Sequence, residues 1–269
     1  MIIDNEEVKA LINIVNQLDN TKNILINEIK KHQSFGKLSY QGDSLKVYGR
    51  NLAWLYDSNF QDAYTKGMDS GHKIGRAKGS KDDIHIEWRV HIAIWAAQHA
   101  MRIPGDLVEC GVNTGILSLA ICNYLDLKEK SMYLFDTYEG IPVSQMNEHE
   151  KLMRVRENEN LYEPCFEVAK KNFSPFPNVH LIKGIVPDSL KLVDIKCVSY
   201  LHLDMNIVYP EIEAINFFWD KISQGGIILL DDYGWAPYVA QQKAMDEFAS
   251  TKGVKIASLP TGQGLLIKS

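Results

Sequence analysis

The chain has 269 residues, is 45% hydrophobic and 23% charged, and carries a formal net charge of −5. That length suits one large domain, or a core domain with an N-terminal extension, and is enough chain to bury a sizeable core. A mildly acidic chain with no long basic run is not built around nucleic acid as its main partner, and its apolar stretches are too short for a transmembrane segment. The four cysteines, Cys110, Cys122, Cys165 and Cys197, form no CxxC pair and have no His at zinc-finger spacing, so they read as reduced thiols of a cytoplasmic protein. The start, Met1-Ile2-Ile3-Asp4-Asn5-Glu6-Glu7, lacks the basic and apolar regions of a signal peptide.

Val8, Leu11, Ile12, Val15 and Leu18 recur at helical spacing, which predicts an amphipathic helix over the first twenty residues. Asp19-Asn20-Thr21 is expected to break it and to cap a second helix carrying Ile24, Leu25 and Ile29. From Ser34 to Ser80 the periodicity weakens. Glycines punctuate this stretch, with Tyr40, Tyr48, Trp54, Tyr56 and Tyr64 between them. It reads either as a mobile cover over a site or as short helices packed on the core by those aromatics. Residues 1–84 are therefore expected to form a helical cap, and 85–269 the main domain.

A firm helix is predicted from Glu87 to Met101, stopped by Ile103-Pro104-Gly105. Strand Asp106–Cys110, a glycine-flanked turn Gly111–Gly115 and helix Ile116–Leu125 follow. Further strands are expected at Met132–Phe135, Val179–Ile182, Val198–Leu203 and Gly226–Leu230, with helices at Glu211–Ile222 and Ala240–Ser250. Val254–Ala257 and Gly264–Ile267 close the chain. Strands alternating with helices predict an α/β, doubly wound, Rossmann-like sheet, and the short last connection predicts a terminal antiparallel hairpin. Residues 137–178 exceed one helical connection. An insertion at about 140–176 usually covers a site or mediates assembly.

In open α/β sheets the functional residues gather at the carboxyl ends of the strands. Three of the strands here close on acids: Asp136, Asp204 and Asp231-Asp232. The first carries Glu109 just before its turn. That turn lacks the full G-x-G-x-x-G of a pyrophosphate site, and a carboxylate at Glu109 repels phosphate. It suits an amino group or a sulfonium instead. Asp136 is placed to accept hydrogen bonds from ribose hydroxyls. The pair points to an adenosine ligand bearing positive charge, and S-adenosylmethionine fits. The alternative is that Glu109 pairs with an internal cation and Asp136 caps a helix. Asp204, Asp231 and Asp232 on adjacent strands would repel one another. A hard cation such as Mg²⁺ removes that cost, and can make an acceptor hydroxyl more acidic. N-capping is the alternative role for these acids.

The segments Pro104-Gly105-Asp106-Leu107-Val108-Glu109-Cys110-Gly111-Val112, Leu134-Phe135-Asp136-Thr137-Tyr138-Glu139-Gly140-Ile141-Pro142, Lys183-Gly184, Leu203-Asp204, and Gly225-Gly226 through Asp231-Asp232-Tyr233 occur in order between residues 85 and 235. In this the chain resembles the metal-dependent sugar O-methyltransferases of the macrocin type, which include mycinamicin and novobiocin tailoring enzymes. The resemblance implies a class I methyltransferase sheet of seven strands and a sugar hydroxyl as acceptor, on a natural product or a surface-glycan precursor. It implies that Glu109, the turn Gly111, Val112, Asn113, Thr114 and Gly115, and Ser118 hold the methionine part of S-adenosylmethionine. Asp136 and Thr137 would hold the ribose, and Gly184 and Ile185 would lie near the adenine. Asp204, Asp231 and Asp232 would bind Mg²⁺, with Asp204 also beside the cofactor. The chain departs from the pattern at Asn206, where many relatives carry a second acid, and at Ile207, where some carry a His base.

The base is therefore open. Asp204 could take the proton itself, and His149 could reach the acceptor if the insertion closes. His202 is expected to be turned away by strand alternation. Asp83, His85 and Glu87 share a face, as a second polar site or as the solvated start of a helix. Two rival readings remain: an NAD-linked sugar oxidoreductase or epimerase, and a non-catalytic binding protein on the same fold. The N-terminal helix and the insertion both suit a homo-oligomer.

Overall fold

The structure, a computed structural model of the chain, describes residues 5–34 and 36–269. Two units divide at Leu52 and Ala53, upstream of the boundary expected near residue 84. The first unit holds helix α1 (Asn5–Ser34) and a hairpin of β1 (Leu38–Gly42) and β2 (Leu45–Tyr48). α1 is one continuous helix of 30 residues, not two. Asp19, Asn20 and Thr21 are only mild helix formers, and no Gly or Pro accompanies them. The Thr21 hydroxyl donates to Gln17 O at 2.9 Å, which satisfies it within the helix. The hairpin turns on Asp43 and Ser44, both at positive φ (46° and 61°), the handedness that matches strand twist.

The second unit begins with α2 (Ser58–Met68) and α3 (Glu87–Ala100). Asp57 caps α2, its carboxylate accepting from Phe60 N–H at 2.9 Å. Trp54 stacks on His91 with ring centroids 4.0 Å apart and meets Trp88 and Phe60 edge-on. The aromatics in the second half of the 34–80 stretch thus pack short helices onto the core, the second of the two readings.

The sheet follows: β3 (Asp106–Cys110), α4 (Ile116–Tyr124), β4 (Met132–Asp136), α5 (Glu148–Leu161), α6 (Phe166–Phe173), β5 (Val179–Lys183), β6 (Val198–Leu203), α7 (Val208–Trp219), β7 (Ile222–Leu230), α8 (Val239–Thr251), β8 (Ala257–Ser258) and β9 (Gly264–Ile267). Its seven strands run in the order β5-β4-β3-β6-β7-β9-β8. The first five are parallel, and β9 pairs antiparallel with both β7 and β8. The chain leaves β3 outward through β4 and β5, then returns to β6 on the other side. This reversal opens a crevice at the carboxyl ends of β3 and β6. The sheet splits the apolar interior into two layers, one under α2, α3 and α4 and one under α7 and α8.

α2 and α4 approach closely because position 67 has no side chain. A Cβ there would lie 2.3 Å from Ile116 O. Gly67→Ala would gain about 0.5–1 kcal/mol of helix propensity, but overpacking costs about 1–3 kcal/mol. A net loss of stability is expected, measured as a lower denaturant midpoint. A rise in the midpoint would show that the contact relaxes without cost.

Candidate active site

Sheet register holds the turns around the crevice. Gly111 N–H donates to Phe135 O at 2.8 Å, Asp204 N–H to Cys110 O at 2.9 Å, Asp231 N–H to Leu203 O at 3.0 Å and Gly184 N–H to Asp136 O at 2.9 Å. Each bond continues a ladder one step past the strand. The turn after β3 has three residues at positive φ: Gly111 (91°), Asn113 (52°) and Gly115 (96°). A Cβ on Gly111 would fall 1.9 Å from Asp204 O, so glycine lets the turns after β3 and β6 touch. At Gly115 a Cβ would meet the Phe173 ring at 2.5 Å. This second glycine makes room for a core side chain from α6.

A cavity lies over these turns. Its wall includes Glu109, Gly111, Val112 and Asn113 around the end of β3, Asp136 and Thr137 at β4, Gly184 after β5, Asp204 after β6 and Asp231 after β7. Thr114, Gly115, Ser118, Ile185 and Asp232 are not part of that wall. Thr114 and Ser118 are buried, the Thr114 hydroxyl meeting Ser70 Oγ at 2.8 Å, and Ile185 is exposed. His149 also lies outside it, exposed in the first turn of α5. That turn is held by a capping box between Asn147 and Glu150. The insertion reaches the cavity through Gly140, Ile141, Pro142, Gln145, Tyr162 and Cys165 instead.

The cavity floor rests on a row of buried charges. His202 sits opposite Glu109 in the β3–β6 ladder. Its Nδ1 is 3.2 Å from Glu109 Oε1, and its Nε2 is 3.7 Å from Asp231 Oδ1. Positions 202 and 204 are two apart and share a side of the sheet, so His202 is not turned away as expected. Asp231 pairs further with the guanidinium of Arg89 from α3 and accepts from Gln263 Nε2 at 3.0 Å. Burial alone would push the His202 imidazole down, but the carboxylates of Asp231 and Glu109 more than reverse this and favour its cation. Burial would raise Asp231, yet Arg89 and His202 hold it low. Burial raises Glu109, and the bond to His202 offsets part of the rise. One Glu109 oxygen, Oε2, is buried with no hydrogen-bond partner among the described residues.

Asp136 accepts four hydrogen bonds. Oδ2 takes Val112 N–H at 2.5 Å and Asn113 N–H at 2.8 Å, and Oδ1 takes Tyr138 N–H at 2.5 Å and the Thr137 hydroxyl at 3.3 Å. A carboxylate has about four acceptor sites. Asp136 therefore locks the glycine turn, and any ribose hydroxyl must share it.

Asp204 is half-buried in the cavity wall. Burial first, then the charges of Asp231 and Asp232, push its carboxyl well above the usual range. Burial and Asp231 raise Asp232 as well. The three acids are thus hard oxygen donors whose mutual repulsion is only partly neutralised, mainly through Arg89. They do not converge: among the described residues no three His, Cys, Asp or Glu side chains gather as a ligand shell. Asn206, at the departure from the resemblance, lies with Nδ2 3.4 Å from Asp204 Oδ1 and accepts from the Tyr238 hydroxyl at 2.8 Å. The Arg154 guanidinium of α5 stacks 3.8 Å from the Tyr238 ring centroid. Asn206 therefore links the loop after β6 to the insertion.

Arg89 is the site residue that sequence reasoning missed. A single guanidinium in a helix rich in Ala, Ile and Trp was its only signal. His72, pushed down to about 4 by burial and by Arg76, also lines the cavity. His85 is exposed beside Asp83 and Glu87 at the start of α3, outside the cavity wall.

Behind the site, Glu211 Oε1 accepts from Met205 N–H at 3.0 Å and from Gln241 Nε2 at 2.9 Å. Burial lifts its carboxyl from 4.5 to about 7. The folded state then binds a proton that the unfolded state releases, so stability falls as pH rises from 4.5 to about 7. Glu211→Gln keeps the acceptor oxygen and should flatten that decline. Melting temperatures measured across the window on both proteins test it, and parallel declines would contradict the assignment.

A doubly wound sheet of seven strands with a reversed last hairpin, and a crevice at its switch point, has the class I methyltransferase fold. The O-methyltransferase NovP superposes with a TM-score of 0.62 at 18% identity, over 78% of this chain and 88% of that one. CalS11, a calicheamicin methyltransferase, superposes with a TM-score of 0.52 at 13% identity, over 81% of this chain and 97% of that one. The chain belongs to the macrocin-O-methyltransferase (TylF) family, whose pattern residues 90–258 match. It is 25% identical over 156 residues to demethyldecarbamoylnovobiocin O-methyltransferase of Streptomyces niveus, covering 55% of this chain and 59% of that protein. It is likewise 25% identical over 140 residues to 8-demethyl-8-(2,3-dimethoxy-alpha-L-rhamnosyl)-tetracenomycin-C 4'-O-methyltransferase of Streptomyces olivaceus, covering 49% of this chain and 54% of that one. These matches span between half and three fifths of each relative's length.

Proposed function

We propose that this chain transfers the methyl group of S-adenosylmethionine to a hydroxyl of a small molecule, a sugar on a natural product or surface-glycan precursor, with help from Mg²⁺. The observation that carries the reading is Glu109: a buried carboxylate in the cavity wall with one oxygen unpaired. Such an atom is costly to leave unpaired, and the α-ammonium of an amino-acid cofactor would satisfy it. A pyrophosphate at this place would be repelled, which disfavours a dinucleotide. The names of both curated relatives support oxygen as the methylated atom, and the rhamnosyl group named for the second supports a sugar-bearing small molecule as acceptor.

S-adenosylmethionine supplies a methyl group on a sulfonium, and a hard divalent cation would supply a Lewis acid near the hydroxyl. The rest falls to the chain. Gly111, Val112 and Asn113 present a turn shaped by Asp136. Displacement at a methyl carbon needs in-line alignment, and holding the partners in place can provide much of the rate. The hydroxyl loses its proton as the new C–O bond forms. Asp204, a carboxylate in the cavity wall at the end of β6, is the residue placed to accept it. Asp204, Asp231 and Asp232 match Mg²⁺ in donor type, but they do not converge as a ligand shell and Asp231 is already paired with Arg89, so no step is assigned to the ion. Free thiols at all four cysteines support a cytoplasmic location. No helix among the described residues is long and apolar enough to cross a membrane. Self-association through the N-terminal helix or the insertion is part of the proposal.

Calorimetric titration with S-adenosylhomocysteine, with and without Mg²⁺, tests the reading without an acceptor. Glu109→Gln keeps a bond to His202 and loses the charge. A charge-assisted hydrogen bond is worth about 1.5–3 kcal/mol, so affinity should fall by roughly 10- to 150-fold, read on protein whose circular dichroism shows it still folded. No binding to the wild-type chain under either condition would sink the proposal. Asp204→Ala should abolish methyl transfer to a sugar acceptor and leave S-adenosylhomocysteine affinity nearly intact. Retained turnover would remove Asp204 from the mechanism.

A further inference from the structure

α1 contains no Gly or Pro and runs about 45 Å at 1.5 Å per residue. Helices in proteins draw most of their stability from packing an apolar face. Val8, Leu11, Val15, Leu18, Leu25 and Ile29 nevertheless stand 40% to 64% exposed. Their spacing is heptad spacing. Val8, Val15, Lys22 and Ile29 fall at the first position of successive heptads, and Leu11, Leu18 and Leu25 at the fourth. Asn13, Asn20 and Asn27 fall on the opposite side, at the sixth.

We infer that residues 8–29 of α1 form a parallel, two-stranded coiled coil with α1 of a second copy of this chain. β-branched residues at the first position with Leu at the fourth favour two parallel strands. The seam is self-complementary, because a parallel in-register pair sets each layer against its own copy, and an identical chain supplies the match. Lys22 is the single polar layer. In a parallel pair the two ammonium heads leave the seam along their aliphatic stems. Asp19, three residues back on the same helix, is placed to receive the head. A slip of one heptad would set Lys22 against Val15 or Ile29, and an antiparallel pair would set it against a Leu layer. One lysine thus selects register and direction. Ile12, Ile14 and Ile26 flank the seam and are also exposed.

This inference deepens the self-association proposed above and is independent of methyl transfer, since its readout is mass. Light scattering on the full chain should give an even-numbered assembly of the 30.5 kDa protomer. Leu11→Lys with Leu18→Lys should halve its mass. Lys22→Ile should tighten the pair by more than tenfold in dissociation constant, an effect that misfolding would not produce. Leu11→Cys should cross-link two chains on mild oxidation, because only a parallel pair sets position 11 against its own copy. A monomeric wild-type chain, a trimer, or a mass unchanged by the two lysines would overturn the coiled coil. Intact pairing with no Leu11→Cys cross-link would overturn its parallel direction.

Discussion

Alternating charges run through the centre of the sheet: Glu109, His202, Asp231 and Arg89, contributed by β3, β6, the end of β7 and α3. Each is nearly buried, and each is tolerable only because its neighbour carries the opposite sign. Removing one member of such a set leaves a buried charge unpaired, at about 3–5 kcal/mol. The row therefore ties the register of three strands to the position of α3. It also brings Glu109 into the cavity wall with one oxygen left over.

That geometry joins two functions usually described apart. Glu109 faces the place proposed for the cofactor, and Asp231 belongs to the acids proposed for the acceptor side. His202 touches both. The nearby turns are held as firmly. Gly111 lets the loop after β3 rest on Asp204 O, Asp136 pins the same loop by its backbone N–H groups, and Asn206 connects the loop after β6 to the insertion through Tyr238. The insertion thus contributes structure to the site, by Arg154 on Tyr238 and by Tyr162 in the wall, although its exposed His149 does not reach the cavity.

The family relationship and the fold set the frame, and individual residues depart from it. Gly115 packs on Phe173, Thr114 on Ser70, and Ser118 lies within the core. These positions pack behind the glycine turn. Arg89 lies in the opposite case, a residue with no motif around it that reaches the most acidic part of the site.

The strands, their order along the chain and the acids at their ends were legible in the sequence, because local hydrophobic runs, turn residues and strand-end chemistry depend on neighbours a few positions apart. Asp106–Cys110, Val198–Leu203 and Gly264–Ile267 are found as expected. Heptad spacing in α1 is equally local, although its continuity past Asp19 shows that weak helix formers do not by themselves end a helix. Partner choice across the fold was not legible. Whether Asp136 meets a ribose or a backbone turn, whether His202 faces Glu109, and which cation answers Asp231 are decided by strand register and by α3 crossing the sheet. These contacts join residues 93 and 142 positions apart. The sequence by itself determined which groups were available at each strand end, and only the tertiary structure decided which of them were already satisfied.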